Sequence, residues 1–79
     1  MTSQELIIHG IYQHYKGDYY IVEDIACHTE TSEELVIYRG LYEGAPVWAR
    51  PKAMFLEEIA PGKLRFTLQK IKSVAGHCV

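Results

Sequence analysis

The fold is decided by the stretch IYQHYKGDYYIVEDIACH, which occupies residues 11–28. Tyr, Ile and Val dominate this stretch, and these residue types suit the half-buried surface of a pleated sheet. Lys16-Gly17-Asp18 is typical of a tight turn, in which Gly17 supplies a positive φ angle. The stretch therefore predicts two antiparallel strands, at residues 11–15 and 19–28, of which the second is long enough to bend.

The chain after residue 28 carries further strand signals separated by turns. Polar residues 29–32 predict a turn, followed by a third strand at 34–42. A second turn at 43–46 precedes a fourth strand at 47–50, and Pro51 then favours a one-turn helix. Leu64, Phe66 and Leu68 alternate with polar residues, which predicts a fifth, half-buried strand.

Five short strands in 79 residues are too few for the two sheets of a sandwich. We therefore predict a mainly β fold, a small SH3-like, partly open antiparallel barrel of about five strands with a short helical turn after Pro51. A curled antiparallel sheet with a helical lid is the alternative. Residues 10–69 form the single β domain, residues 1–9 an N-terminal segment with capping-box spacing at 2–5, and residues 70–79 a C-terminal tail.

The composition limits the classes of function that fit this chain. Eight basic and ten acidic residues give a net charge of −2, unlike the strongly basic proteins that bind any polyanion. The apolar runs are too short for a membrane span or a signal peptide, so we expect a cytoplasmic protein without membrane association. Cys27 lies in an apolar run and is expected in the core, whereas Cys78 falls in the tail.

Aromatic, imidazole and cationic side chains concentrate in a few segments near the predicted turns. Arg50 precedes Pro51, which holds its backbone extended, and we expect Arg50 to be functional or to be held by a carboxylate such as Glu57 or Glu30. The candidate ligand-binding residues are Tyr12, His14, Tyr15, Lys16, His28, Glu30, Tyr38, Trp48 and Arg50.

The same segments, in the same order, resemble a small bacterial family known as domain of unknown function 1653. The resemblance spans most of the chain and departs from the family pattern at Gly40 and Ala49. It implies a compact, mainly β domain, often a whole protein by itself, and it implies no activity. It rests on His14-Tyr15-Lys16-Gly17, His28-Thr29-Glu30-Thr31, Glu34-Leu35-Val36, Tyr38, Leu41-Tyr42, Trp48, Arg50-Pro51 and Met54-Phe55.

The first functional hypothesis is a non-enzymatic binding or accessory module. Its aromatic and basic groove would lie between the hairpin at 12–17 and the segment at 48–55. A protein or peptide is the expected ligand, because interfaces favour Tyr, Trp and Arg. A nucleic acid stacked on Tyr12, Tyr15 and Trp48 is the other candidate. The alternative for Trp48 is a hydrophobic plug that closes the barrel against Met54 and Phe55. We expect a monomer or a weak homodimer.

The second hypothesis is a small hydrolase or metal-dependent enzyme centred on His14, His28 and Glu30. Two imidazoles and a carboxylate are able to hold a divalent ion or to act as acid and base. Their spacing matches no metal-binding motif, however, and each histidine could instead bond a turn or pack on a tyrosine. We therefore expect no metal, no cofactor and no catalytic residue.

Overall fold

The computed structural model describes residues 6–69. The predicted capping box at 2–5, Cys78 and the tail at 70–79 lie outside the described residues. In chain order the elements are β1 (Ile11–His14), β2 (Tyr19–Cys27), β3 (Glu34–Gly40), β4 (Val47–Pro51), α1 (Lys52–Phe55), β5 (Glu58–Ala60), β6 (Lys63–Leu64) and β7 (Phe66–Leu68).

The principal sheet has five antiparallel strands in the order β4-β3-β2-β1-β7, and β5 and β6 form a separate pair. The first four strands follow one another as a meander, and β7 returns to pair with β1. This sheet is not closed into a barrel. The mainly β class, the five-stranded antiparallel arrangement and the helical turn directly after Pro51 are confirmed.

The β1–β2 hairpin has the predicted tight turn. Gly17 has a φ angle of +115°, and its amide donates a 2.7 Å hydrogen bond to the carbonyl of His14. Strand β2 is irregular at Glu23, where its register with β3 shifts by one residue. A bulge of this kind bends a strand, as expected for a strand of this length.

Strand β3 ends at Gly40 rather than at residue 42. The ring of Tyr42 folds back over Gly40, and a Cβ atom at that position would overlap the ring. Gly40 is buried although it has no side chain. The close approach of the Tyr42 ring explains why a glycine stands here.

The predicted strand at residues 64–69 is divided at Arg65. Before it, β6 pairs with β5; after it, β7 pairs with β1. The backbone of Arg65 joins both regions, because its amide donates to Glu57 and its carbonyl accepts from Tyr15, at 3.0 and 2.9 Å. Alternating side chains predict a strand but not which strand it pairs with.

The core is a layer of aromatic rings against one face of the sheet. Phe55, from α1, is completely buried, and its ring stacks on Phe66 with centroids 4.0 Å apart and planes 7° from parallel. Tyr12 and Tyr38 contact Phe55 edge-on at 5.3 and 5.2 Å. The buried residues are Tyr12, Val22, Val36, Tyr38, Phe55 and Phe66.

The expectation that Cys27 is a core residue is wrong. Cys27 is exposed at the end of β2, opposite the exposed Glu34 on β3. The aromatic layer does not cover this end of the β2–β3 ribbon. An apolar run in a sequence therefore does not reveal where the core stops along a strand.

No helix within residues 6–69 has the length and apolar character needed to cross a membrane.

Phe55→Ala should lower the free energy of unfolding by about 3–5 kcal/mol, because it removes the ring that fills the centre of the core. Met54→Ala, in the same helical turn, is the matched control, since the Met54 side chain is 41% exposed. Its effect should stay within about 1 kcal/mol. Urea unfolding of both variants measures the difference, and equal losses of stability would contradict the central position of Phe55.

Candidate functional site

Four of the nine candidate residues line one concavity of about 180 Å³. We call this concavity the groove. Its lining combines exposed and core side chains, and it consists of His14, Tyr20, Tyr38, Trp48, Arg50 and Phe66. The predicted hairpin at 12–17 contributes His14 to this lining, and the segment at 48–55 contributes Trp48 and Arg50.

The register of the sheet brings the groove residues together. Tyr38 on β3 lies opposite Trp48 on β4, and Val36 lies opposite Arg50. Residues directly opposite each other share a face, as do residues two apart on a strand. Trp48 and Arg50 therefore project from the face that carries the aromatic core.

The floor of the groove is part of the core. Tyr38 and Phe66 are buried, with ring centroids 5.5 Å apart. The Arg50 side chain lies against this floor, where its Nε donates a 3.2 Å hydrogen bond to the Tyr38 hydroxyl. Because core rings cannot move freely, the groove has a fixed base.

Of the two roles expected for Arg50, the contact with a carboxylate is not formed among residues 6–69. Glu57 instead forms an ion pair with Arg65 at 3.5 Å, and Glu30 lies in the turn after β2. The Tyr38 hydroxyl is a neutral partner, so Arg50 keeps its full positive charge next to the groove.

His14 has a fixed orientation at the edge of the groove. Its Nδ1 accepts a 3.1 Å hydrogen bond from the Lys16 amide, so the neutral ring carries its proton on Nε2. The ring packs against Tyr15 with centroids 4.5 Å apart and contacts Phe66 edge-on at 5.0 Å. Burial, followed by the charges of Arg50, Lys16 and Arg65, lowers the pKa of His14 below its usual 6.5.

Tyr15 and Lys16 lie beside the groove rather than in it. His14 also borders a second, larger concavity of about 360 Å³, which Tyr15 and Lys63 help to line. The Nζ atoms of Lys16 and Lys63 lie 5.9 and 5.8 Å from the Tyr15 ring centroid, within the range of cation–π attraction. These contacts, together with His14, engage the Tyr15 ring within the protein.

Tyr12, His28 and Glu30 do not take part in the groove. Tyr12 is a core residue whose hydroxyl accepts a hydrogen bond from the Ile7 amide at 3.1 Å. His28 follows the far end of β2, and nine strand residues separate the two ends by about 26 Å. Among residues 6–69, no three His, Cys, Asp or Glu side chains are grouped to hold a metal ion.

The two histidine motifs have the same local geometry. His14 Nδ1 accepts from the amide of Lys16, and His28 Nδ1 accepts from the amide of Glu30, each at 3.1 Å. In both cases the ring bonds the backbone two residues later, inside the turn that follows a strand. This accounts for His28 and Glu30 as turn-forming residues.

Sequence reasoning missed Tyr20 and Phe66 as groove residues. Tyr20 lies opposite Tyr12 in the β1–β2 register, and Phe66 lies opposite His14 in the β1–β7 register. The alternation of Leu64, Phe66 and Leu68 indicated a buried face. Nothing in the sequence indicated that this face would meet His14.

The groove lining is suited to binding rather than to acid–base or nucleophilic chemistry. It contains a cationic guanidinium, an imidazole, a large exposed indole and two phenols, but no carboxylate, thiol or aliphatic hydroxyl. Burial first, and then the neighbouring Tyr42, raise the pKa of the Tyr20 phenol, which keeps it protonated at neutral pH. The groove therefore offers hydrogen-bond donors and ring surface to an anionic or carbonyl-bearing ligand.

The pKa of His14 tests the charge around the groove. Arg50→Gln should raise this pKa towards 6.5 without reaching it, because burial, the larger cause, remains. Since the folded-state pKa lies below the unfolded value, the unfolded chain binds the proton more readily. The contribution of His14 to stability is therefore lost as the pH falls below about 6.5.

An NMR titration of the His14 imidazole in wild type and Arg50→Gln measures both values. No change in the variant would show that Arg50 does not act on His14, and a wild-type pKa above 6.5 would contradict the lowering by burial and nearby cations. Lys52→Gln is the control, since Lys52 pairs with Glu34 at 3.3 Å.

Comparisons with known proteins agree with the resemblance seen in the sequence. A family model described as protein of unknown function DUF1653 matches residues 10–67. A solved structure of a DUF1653 protein from Bordetella bronchiseptica is 36% identical, with a TM-score of 0.65 over 73% of this chain and 81% of that one. No curated protein matches the chain. Because the matched residues extend from the start of β1 into β7, the chain belongs to the DUF1653 family.

Proposed function

We propose that this protein is a non-enzymatic binding module that takes an acidic, extended segment of another protein in the groove. A reducing compartment such as the cytoplasm suits the free, exposed thiol of Cys27. Of the ligands considered in the first functional hypothesis, an acidic, extended protein segment is the one that we propose.

The observation that carries the proposal is the position of Trp48. Its side chain is 47% exposed, although it lines the groove beside the buried rings of Tyr38 and Phe66. Tryptophan and arginine are the residues that most often dominate the energy of binding interfaces. Trp48 stands beside Arg50 over a rigid aromatic floor, which is the arrangement expected of an interface anchor.

The charge around the groove favours an acidic ligand. The whole chain has a net charge of −2, but three cations, Arg50, Lys16 and Arg65, lower the pKa of His14, and one carboxylate, that of Asp18, raises it. A local positive field on an acidic protein attracts acidic partners and repels basic ones. Arg50 has no carboxylate partner among the hydrogen bonds of the groove, so a ligand carboxylate is able to bind it.

A protein ligand has more support than a nucleic acid. A stacking platform for single strands needs several free ring faces in a row. Of the three rings considered, Tyr12 is buried and Tyr15 is engaged by His14. Tyr15 is nonetheless 41% exposed, so two partly free rings, Tyr15 and Trp48, remain, which is fewer than such a platform uses.

The enzyme alternative has no comparable support. The enzyme hypothesis was centred on His14, His28 and Glu30, but His14 and His28 lie near opposite ends of β2. Among residues 6–69, those that line the groove include no nucleophile and no carboxylate. A single imidazole without a partner group is a weak basis for catalysis.

Trp48→Ala should abolish binding of peptides that bind the wild-type protein. The test is a selection of random twelve-residue peptides displayed on phage, followed by calorimetry with the selected peptides. Leu68→Ala is the matched control, because Leu68 is also exposed but lies on β7, at the opposite edge of the sheet. Loss of a central anchor should weaken binding about 30-fold or more, and Leu68→Ala less than about threefold.

Three results would contradict the proposal. These are a selection that yields no peptide binding wild type, selected peptides that lack acidic residues, and a Trp48→Ala variant that binds the peptides as well as Leu68→Ala does. An oligothymidylate, tested in parallel by fluorescence anisotropy, addresses the nucleic-acid alternative. Tighter binding of this probe than of any selected peptide would favour that alternative.

A further inference from the structure

We propose that the bound segment adds to the sheet as a further strand along the outer edge of β4, with an acidic side chain opposite Arg50. The inference rests on the proposed function and specifies its binding mode. Strand addition uses backbone hydrogen bonds for affinity and alternate side chains for specificity.

Strand β4 is an edge strand. It is the last strand in the order β4-β3-β2-β1-β7, and no strand within residues 6–69 pairs with its outer side. The unpaired amides and carbonyls of an edge strand are a template for another chain.

The backbone groups that face outward follow from the hydrogen bonds of β3. The Leu41 amide donates to the Tyr19 carbonyl at 2.9 Å, so Leu41 faces β2. Along an antiparallel strand the backbone amides and carbonyls of successive residues point alternately to one neighbouring strand and to the other. The backbone groups of Tyr38 and Val36 therefore point to β4 and form hydrogen bonds with the residues opposite them. Those residues are Trp48 and Arg50, which leaves the amides and carbonyls of Val47 and Ala49 directed outward.

Over residues 47–50, between two prolines, the outer edge of β4 lacks the usual protection against pairing. Proteins commonly protect such edges with lysines, bulges or prolines. The four residues 47–50 carry one charge, that of Arg50, and its side chain bonds Tyr38. Pro46 and Pro51 flank these residues and restrict pairing to a window of four residues.

The window lies directly beside the groove. Trp48 and Arg50 point to the groove face, so a strand beside β4 places alternate side chains next to them. An apolar residue fits opposite Trp48 and a carboxylate opposite Arg50, two residues apart on the ligand. A nucleic acid has no backbone amides and carbonyls with which to continue the sheet.

The probe is the peptide acetyl-Thr-Val-Thr-Glu-Thr-Val-Thr-amide. Its side-chain pattern reads the same in both directions, so it places Glu at Arg50 and Val at Trp48 in either a parallel or an antiparallel alignment. A peptide with Lys in place of Glu is the matched control. We expect the Lys peptide to bind at least about tenfold more weakly.

Hydrogen exchange in the wild-type protein tests the edge directly. The Val47 and Ala49 amides should exchange rapidly in the free protein and at least tenfold more slowly with the Glu peptide. The Trp48 and Arg50 amides should be protected in both states. Unchanged exchange at Val47 and Ala49 when the peptide is saturating would overturn the inference, as would no binding of the peptide at 5 mM.

Two variants at one position separate this inference from the proposed function. Ala49→Pro removes the outward amide and leaves every groove side chain in place, and proline is tolerated on edge strands. Ala49→Val retains the amide and is the control. Ala49→Pro should weaken binding of the Glu peptide at least tenfold, and Ala49→Val should weaken it less than twofold. Thermal unfolding checks that both variants are folded.

The outcomes are distinguishable. If the peptides selected on wild type need Trp48 but bind Ala49→Pro normally, the groove binds ligands and strand addition is wrong. If the selected peptides bind both Trp48→Ala and Ala49→Pro as well as they bind wild type, the proposed function itself is wrong. If sedimentation shows a dimer whose Val47 and Ala49 amides are already protected, the edge pairs with a second copy and the inference is also wrong.

Discussion

The face-to-face stack of Phe55 on Phe66 is the contact on which the rest of the structure depends. A four-residue helix has no stability of its own, so α1 is held in place by the burial of Phe55. Phe66 belongs to β7, a strand of three residues that reaches the sheet only through β1. One ring pair therefore joins the helix, the last strand and the centre of the sheet.

The same aromatic layer links stability to the candidate site. Phe66 and Tyr38 are core residues on one side and the floor of the groove on the other. Arg50 is directed by the Tyr38 hydroxyl, and His14 by the Lys16 amide and the edge of Phe66. Because these partners are already fixed, little side-chain freedom remains to be lost when a ligand binds.

Local signals in the sequence predicted strands β1 to β4, the Gly17 turn and the helical turn after Pro51, but not β5. They also brought His14, Trp48 and Arg50 together, because the hairpin and the segment after Pro46 belong to one meander. Properties that depend on distant contacts were not predictable. The exposure of Cys27 depends on how far the aromatic layer reaches, and the split at Arg65 depends on which strand lies alongside. His14 and His28 were grouped as the centre of the enzyme hypothesis because both are imidazoles, yet they lie near opposite ends of β2.

Fluorescence quenching of Trp48 tests the central claim most directly, because the chain contains one tryptophan and the measurement needs no ligand. The account predicts that iodide quenches Trp48 more strongly than caesium does. The comparison uses the Stern–Volmer quenching constant for each ion, divided by the constant for N-acetyltryptophanamide in the same salt. The indole is half exposed in a locally positive field that includes Arg50. Equal or stronger quenching by caesium is the result expected from the net charge of −2 alone, and it would contradict an aromatic and basic groove at this edge of the sheet.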